Sequence, residues 1–237
     1  MESSTGQTIE FAEIGSTSDW LIEHAAELPD ESWVRADAQT TGHGRHGRAW
    51  VSLKGNLFAS VLVRRYADEG PPQQLSFVAA LALGDAVMPW TARMRLSLKW
   101  PNDVLLGGGK LAGILLQATH GAVVIGFGVN VAREPVGVGQ RVACLASATA
   151  DPPTPVALLT ELRRTFADWR ERWRVHGFAP VRAAWLARAT PVGWRTTVVQ
   201  GERVLTGTFA GLAEDGAMLI QRAGRIEHIH AGEVLGL

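Results

Sequence analysis

The chain reads as an α+β protein: a mixed, mostly antiparallel sheet with helices, followed by a small C-terminal β-barrel. Three observations carry that reading. Between Met94 and Val131 strand patterns follow in quick succession around Gly107-Gly108-Gly109, which suits antiparallel pairing rather than alternating βαβ units. Helical spacing is confined to blocks on either side of that run. After Pro191 five short strands separated by Gly-Glu, Glu-Asp-Gly and Ala-Gly turns give the texture of a small barrel.

Taken in order, Ile9, Phe11 and Ile14 indicate a short strand. Gly15-Ser16-Thr17-Ser18-Asp19 then supplies helix-start chemistry for a helix over 20–28. Residues 33–38 form a second strand, and 57–65 alternate apolar Leu57, Ala59, Val61 and Val63 as a third. Leu75, Val78, Ala79, Ala82 and Ala86 place a helix over 73–90. Residues 95–100 lead into Asp103–Leu106, a glycine turn that exploits free positive φ, and strands over 111–117 and 122–131. Thr154 as N-cap and Pro155 at the first helical position open the longest helix, whose Leu159, Leu162, Phe166, Trp169 and Trp173 face the core. The barrel strands are Arg195–Gln200, Arg203–Leu212, 217–221, 225–230 and Glu233–Leu235. A boundary near 188–190 divides the chain into 1–188 and 189–237, the second too small to hold much core alone and so packed on the first.

Composition narrows the function. The 237 residues carry 23 Lys+Arg against 23 Asp+Glu, a zero net charge that argues against a general nucleic-acid or membrane-surface binder. One cysteine, Cys144, excludes a disulfide scaffold and a cysteine-based zinc site and suits a reducing cytosol. Residues 1–4 lack the basic and apolar character of a signal peptide, and no apolar run reaches the roughly 20 residues that span a bilayer, so the expected location is cytoplasmic. Only three of the 23 cations are lysines, Lys54, Lys99 and Lys110.

Four segments carry chemistry. In Gln39-Thr40-Thr41-Gly42-His43-Gly44-Arg45-His46-Gly47-Arg48-Ala49-Trp50, glycines that let backbone amides approach an anion alternate with cations. No Gly-Lys-Ser/Thr follows, so it is not a Walker A loop. Two of the three lysines bracket a hairpin in Lys99-Trp100-Pro101-Asn102-Asp103 and Gly107-Gly108-Gly109-Lys110-Leu111-Ala112-Gly113. Together with Asn102 and Asp103 they can hold a phosphate, a carboxylate and Mg²⁺, although each taken separately reads as turn or hairpin decoration. Gly126-Phe127-Gly128-Val129-Asn130 allows close approach of a flat ligand, with Asn130 able to read a nucleobase edge; a strand glycine equally marks a bulge. Ser16-Thr17, alone, reads as a helix cap.

In this order the four segments resemble the biotin–protein ligase family. Its marks are a Ser-Thr pair, a Gly-Arg-Gly-Arg-x-Gly-Arg-x-Trp loop, a Lys-Trp-Pro-Asn-Asp block with a downstream Lys-Leu-Ala-Gly-Ile, and a Gly-x-Gly-x-Asn strand. Residues 99–103, 110–114 and 126–130 match intact, and the resemblance covers almost the whole chain. It implies a class II synthetase-like catalytic domain at 1–188 and an SH3-like barrel at 189–237. It also implies an enzyme that joins biotin to ATP as biotinyl-5′-AMP, releases pyrophosphate, and passes the biotinyl group to a lysine of a biotin carboxyl carrier protein.

The implied roles follow motif position. Lys110, Arg45, Asp103 and Lys99 are the catalytic set; Ser16, Thr17, Gln39, Gly42, Arg45, Lys110, Gly113 and Gly126 bind biotin. Arg48, Trp50, Asn102, Asn130, His43 and Gly128 bind the nucleotide. Mg²⁺ is held through the phosphates, with no fixed protein ligand; Asn102 and Asp103 serve the nucleotide, the Mg²⁺ or activation of the acceptor lysine. Arg45 and Arg48 close over the adenylate and exclude water. His43 departs from the family's first loop arginine, which implies faster dissociation of the intermediate, because a neutral imidazole offers one hydrogen bond in place of a fork. With 15 residues before Ser16, the resemblance implies the type without an N-terminal DNA-binding domain, as a monomer or homodimer. A lipoate–protein ligase shares the logic but carries an Arg-Arg-x-x-Gly-Gly-Gly block absent here. A biotin carrier would need Met-Lys-Met, and no methionine flanks a lysine. A peptide-binding adaptor is a further non-enzymatic reading.

Overall fold

A computed structural model describes residues 6–67, 69–91, 94–119 and 121–235; the signal-peptide reading of residues 1–4 lies outside them. Strands β1 (Thr8–Ile14), β2 (Trp33–Gln39), β3 (Leu57–Arg64), β4 (Leu96–Lys99), β5 (Asp103–Leu106), β6 (Gly109–Thr119) and β7 (Ala122–Val129) form a sheet of order β1-β2-β3-β7-β6-β5-β4. β1 and β2 run parallel, joined through α1 (Thr17–Glu23), and every other pair in the sheet is antiparallel. The turn between β5 and β6 is Gly107-Gly108, both at positive φ (56° and 81°), as a tight two-residue hairpin demands.

Alternation along β3 and β7 divides the apolar groups between two faces. Leu57, Ala59, Val61 and Val63, with Val123, Ile125, Phe127 and Val129, join the main core under α2 (Leu75–Val87) and α3 (Pro155–His176). Leu62 and Val124 point the other way and, with Leu21 and Val34, make a smaller cluster under α1. The residues following Val124 on that second face are Gly126 and Gly128, so the apolar layer stops there and leaves a hollow.

α1 begins earlier than its pattern suggested because Ser16, not Asp19, is the N-cap, its hydroxyl accepting from the Asp19 amide at 3.2 Å. It also ends earlier: Leu28 precedes a proline, and the Ala25 and Leu28 carbonyls are taken by the Arg64 guanidinium at 2.8 and 2.6 Å. α2 is apolar all round and buried on nearly every side, and it closes in a 3₁₀ turn where Pro89 removes a donor. Thr154 caps α3 as expected, accepting from the Ala157 amide. A further helix, α4 (Phe178–Leu186), was not anticipated; Gly177 at φ 70° separates it from α3, and Phe178, Val181 and Trp185 are the buried stripe that would have marked it.

Five strands, β8 (Arg195–Gln200), β9 (Arg203–Leu212), β10 (Met218–Arg222), β11 (Arg225–Ile229) and β12 (Glu233–Leu235), make an antiparallel sheet of order β11-β10-β9-β8-β12. The expected barrel is open among the described residues: β12 is three residues long and spends its pairing on β8, so β11 and β12 remain separate edges. This sheet sits on the main body through a continuous core that includes Val198, Phe209, Met218 and Val234, and through Trp100 Nε1 donating to the Gly216 carbonyl at 3.3 Å.

A buried ion cluster ties α3 to the entry of β2. The Arg170 side chain, 3% exposed, meets Glu31 at 2.8 Å and Asp30 at 2.9 Å, and donates to the Arg64 carbonyl at 3.0 Å. Arg170→Ala strands these carboxylates together, so unfolding in urea at neutral pH should show a loss of about 3–5 kcal/mol; a loss below about 1 kcal/mol would mean the cluster is solvated in practice.

Candidate active site

The hollow is a cavity of about 310 Å³, enclosed by the N-terminus of α1, the 42–50 loop, the starts of β5 and β6, the end of β7, and β12 of the small sheet. Every residue given a catalytic or binding role from the sequence lines it except Gly42. Gly42 stands behind the wall: a Cβ there would lie 2.7 Å from Gln39 Nε2, and its carbonyl accepts from the Trp50 amide at 2.8 Å. Its absent side chain leaves room for Gln39.

One end of the cavity is a cluster of hydroxyls and an amide. Gln39 Oε1 accepts from the Thr17 amide at 2.9 Å and from Thr17 Oγ1 at 3.1 Å, which turns its amide group into the donor on that wall. Ser60 Oγ links Thr17 Oγ1 at 2.8 Å and Ser18 Oγ at 2.9 Å. Ser18 and Ser60 were missed from the sequence. Ser60 had a signal, a lone hydroxyl in an otherwise apolar strand, because a buried hydroxyl needs partners.

The other end is cationic. Lys110 Nζ meets Asp103 Oδ1 at 2.8 Å, with both side chains largely enclosed. The hairpin register sets Asp103 opposite Lys99 on one side and Gly113 on the other. The Lys110 backbone is clamped by the 141–143 segment, its amide donating to the Arg141 carbonyl and its carbonyl accepting from the Ala143 amide. Burial pulls the Lys99 ammonium below its ordinary range; Asp103 offsets part of this and the Lys110 charge adds to it. Burial likewise lowers Arg45, against the opposing pull of Asp103 and Glu233.

The 42–50 loop is a small hairpin closed by the His43–Ala49 bridge and by Gly44 N–H donating to the Arg48 carbonyl at 2.8 Å, so that amide is not free for an anion. Its Trp50 ring lies over the floor in the space the glycines vacate: a Cβ at Gly128 would sit 2.4 Å from Trp50 Cε2, and one at Gly113 2.9 Å from Cζ3. The buried Trp50 Nε1 has no hydrogen-bond partner. Asn130 lines the cavity, but its amide group donates to the Lys110 and Ala143 carbonyls, leaving its oxygen alone to face a ligand. His43 turns to the hydroxyl end, with Nε2 3.7 Å from Asp19 Oδ1 and 3.5 Å from Gln117 Nε2. Glu233, unmarked in the sequence, closes the cationic end by pairing with Arg48.

Lysines and arginines converging on one cavity, in a chain of zero net charge, call for a polyanion beside a neutral polar ligand end. On a sheet of this kind that arrangement defines the class of ligases that activate an acid with a nucleotide. Residues 10–131 match the family model described as biotin/lipoate A/B protein ligase family, and residues 193–235 that of the biotin protein ligase C terminal domain. The chain belongs to the biotin/lipoate A/B protein ligase family. It is 38% identical to a biotin--[acetyl-CoA-carboxylase] ligase of Paracoccus denitrificans, over 94% of this chain and 98% of the relative. It is 34% identical to a ligase of the same name from Mycobacterium tuberculosis, over 95% and 87%. The structure of a biotin protein ligase from Aquifex aeolicus in complex with biotin and ATP superposes with a TM-score of 0.86 at 27% identity, covering 97% of each chain. No helix among the described residues is long and apolar enough to cross a membrane.

Proposed function

We propose that the chain activates biotin with ATP to biotinyl-5′-AMP and transfers the biotinyl group to a lysine of the carrier protein of an acetyl-CoA carboxylase. The observation that carries this is the two-ended cavity, with an enclosed lysine at its cationic end. The amide and hydroxyls of Gln39, Thr17 and Ser60 suit a neutral ureido group, and the cations suit the triphosphate. Relatives whose names specify biotin and acetyl-CoA carboxylase support the acceptor class. Residues 1–188 are read as the unit that binds biotin and ATP, and 189–237 as the unit that closes it.

In the first step a biotin carboxylate oxygen attacks the α-phosphorus, and the bond to the β-phosphate oxygen breaks to release pyrophosphate. Lys110 offsets the repulsion between the two anions, and Arg45 and Arg48 balance charge on the phosphates. In the second step the neutral ε-amine of the acceptor lysine attacks the carbonyl carbon, forming the amide, losing one proton and releasing AMP. Asp103 is the carboxylate within reach to take that proton, once Lys110 has turned to the adenylate. Asn102 Oδ1, buried without a hydrogen-bond partner, and Asp103 are oxygen donors of the type Mg²⁺ takes; bound with the phosphates, the ion would neutralise the leaving group. Among the described residues no group of three or more His, Cys, Asp or Glu side chains is arranged to hold a metal by itself.

Pyrophosphate–ATP exchange tests the reading. Exchange should depend on biotin and not on lipoate. Lipoate-dependent exchange would assign the other branch of the family, and exchange with neither acid would reject ligase activity.

A further inference from the structure

The two arginines of the 42–50 loop are held by the small sheet rather than by the sheet that floors the cavity. Arg45 Nη1 donates to the Gly232 carbonyl at 3.0 Å, and Arg48 Nη2 meets Glu233 Oε2 at 2.5 Å. Gly232 and Glu233 are consecutive residues at the entry to β12, about 185 positions from the loop in sequence, and Glu233 lines the same cavity mouth. The mouth thus holds Arg45, Arg48, Lys99 and Lys110 against two carboxylates, Asp103 and Glu233.

We propose that Glu233 is a counter-ion latch: it holds the loop down through Arg48, and the phosphates of the nucleotide compete with it for that arginine. This rests on the reading of ATP as the substrate. The two carboxylates differ in how readily an incoming anion displaces them. Asp103 opens β5 and is paired on both sides, by β4 and β6, its side chain 17% exposed and bonded to Lys110, whereas Glu233 stands on a three-residue edge strand at 35% and pairs with an arginine 65% exposed. An ion pair that exposed contributes little by itself, so a triphosphate can break it. The position of Glu233 in the field of the whole cluster accords with this, since its carboxyl is held below the usual range by the Arg48 hydrogen bond first and by Arg45 and Lys99 besides. The competition raises the apparent KM for ATP without touching chemistry, because an occupied latch reduces the fraction of sites open to the nucleotide.

Glu233→Gln removes the competing charge and keeps the shape. Calorimetric titration of the whole chain with inorganic pyrophosphate should show binding about threefold tighter than wild type, the scale of one exposed pair. In biotin-dependent exchange the same variant should lower the KM for ATP by a similar factor with kcat unchanged within about twofold, while Glu233→Asp stays near wild type on both measures. Unchanged or weaker pyrophosphate binding in the Gln variant overturns the latch, as does a KM that moves alike in the Gln and Asp variants. Tighter pyrophosphate binding in a chain that shows no biotin-dependent exchange would support the latch and reject the ligase reading instead.

Discussion

Lys110→Ala should abolish nearly all adenylate formation, cutting biotin-dependent pyrophosphate exchange by about 10²–10³-fold, the cost of removing one preorganised charge-stabilising group. The expected loss follows from position. Lys110 lines the cationic end of the cavity, its backbone pinned on both sides, so its ammonium is delivered without a search. That ammonium is held by Asp103 at 2.8 Å. An incoming carboxylate and α-phosphate therefore replace one anion by two. The fold should survive, because Asp103 keeps Lys99 opposite it in the hairpin register. The two readouts separate the causes: a cooperative unfolding transition close to wild type with exchange lost supports the role, and wild-type exchange refutes it. Lys54, exposed outside the cavity, is the control, and Lys54→Ala should leave the rate unchanged.

What could be read from the sequence, and what could not, divides by the range of the interaction. The β3 alternation, the Gly107-Gly108 turn and the Thr154 cap are written in neighbouring residues, and each is found where its pattern stands. The same holds for the concentration of site residues, since the glycine spacing at 42–47 and 126–128 is local. Partners remote in sequence had no such signature. Ser60 bonds Thr17 across 43 positions and Glu233 reaches Arg48 across 185, and nothing in one segment names the other. The Gly44 amide has no local signature for a related reason: a glycine announces freedom, not what uses it, and this amide turns inward to the Arg48 carbonyl. The open edges of the small sheet belong to the same group, because whether β11 meets β12 depends on how far each strand extends beyond its turn.

Gly126→Val probes the opposite end of the cavity and should raise the KM for biotin by about 10- to 100-fold, which is the overpacking strain of about 1–3 kcal/mol expressed as binding. Gly126 lies between Ser60 on β3 and Leu115 on β6, facing α1. A Cβ there would stand 2.6 Å from Ser18 Oγ and 3.5 Å from Ser60 Oγ, closer to Ser18 than two atoms can pack. Ser18 must move, and it follows Thr17 in the first turn of α1, so the shift carries to the Thr17–Gln39 pair that orients the wall. The lysines and arginines of the cationic end make no contact with Ser18 or Ser60 and should not feel the change. The decisive comparison is therefore between two KM values in one enzyme: biotin weakened, ATP within about twofold of wild type. If both rise together, the division of the cavity into an acid end and a nucleotide end is wrong, whatever happens to stability. Ser60→Ala, which removes a hydroxyl without adding bulk, should move the biotin KM in the same direction by about tenfold or less, the range of one buried hydrogen bond.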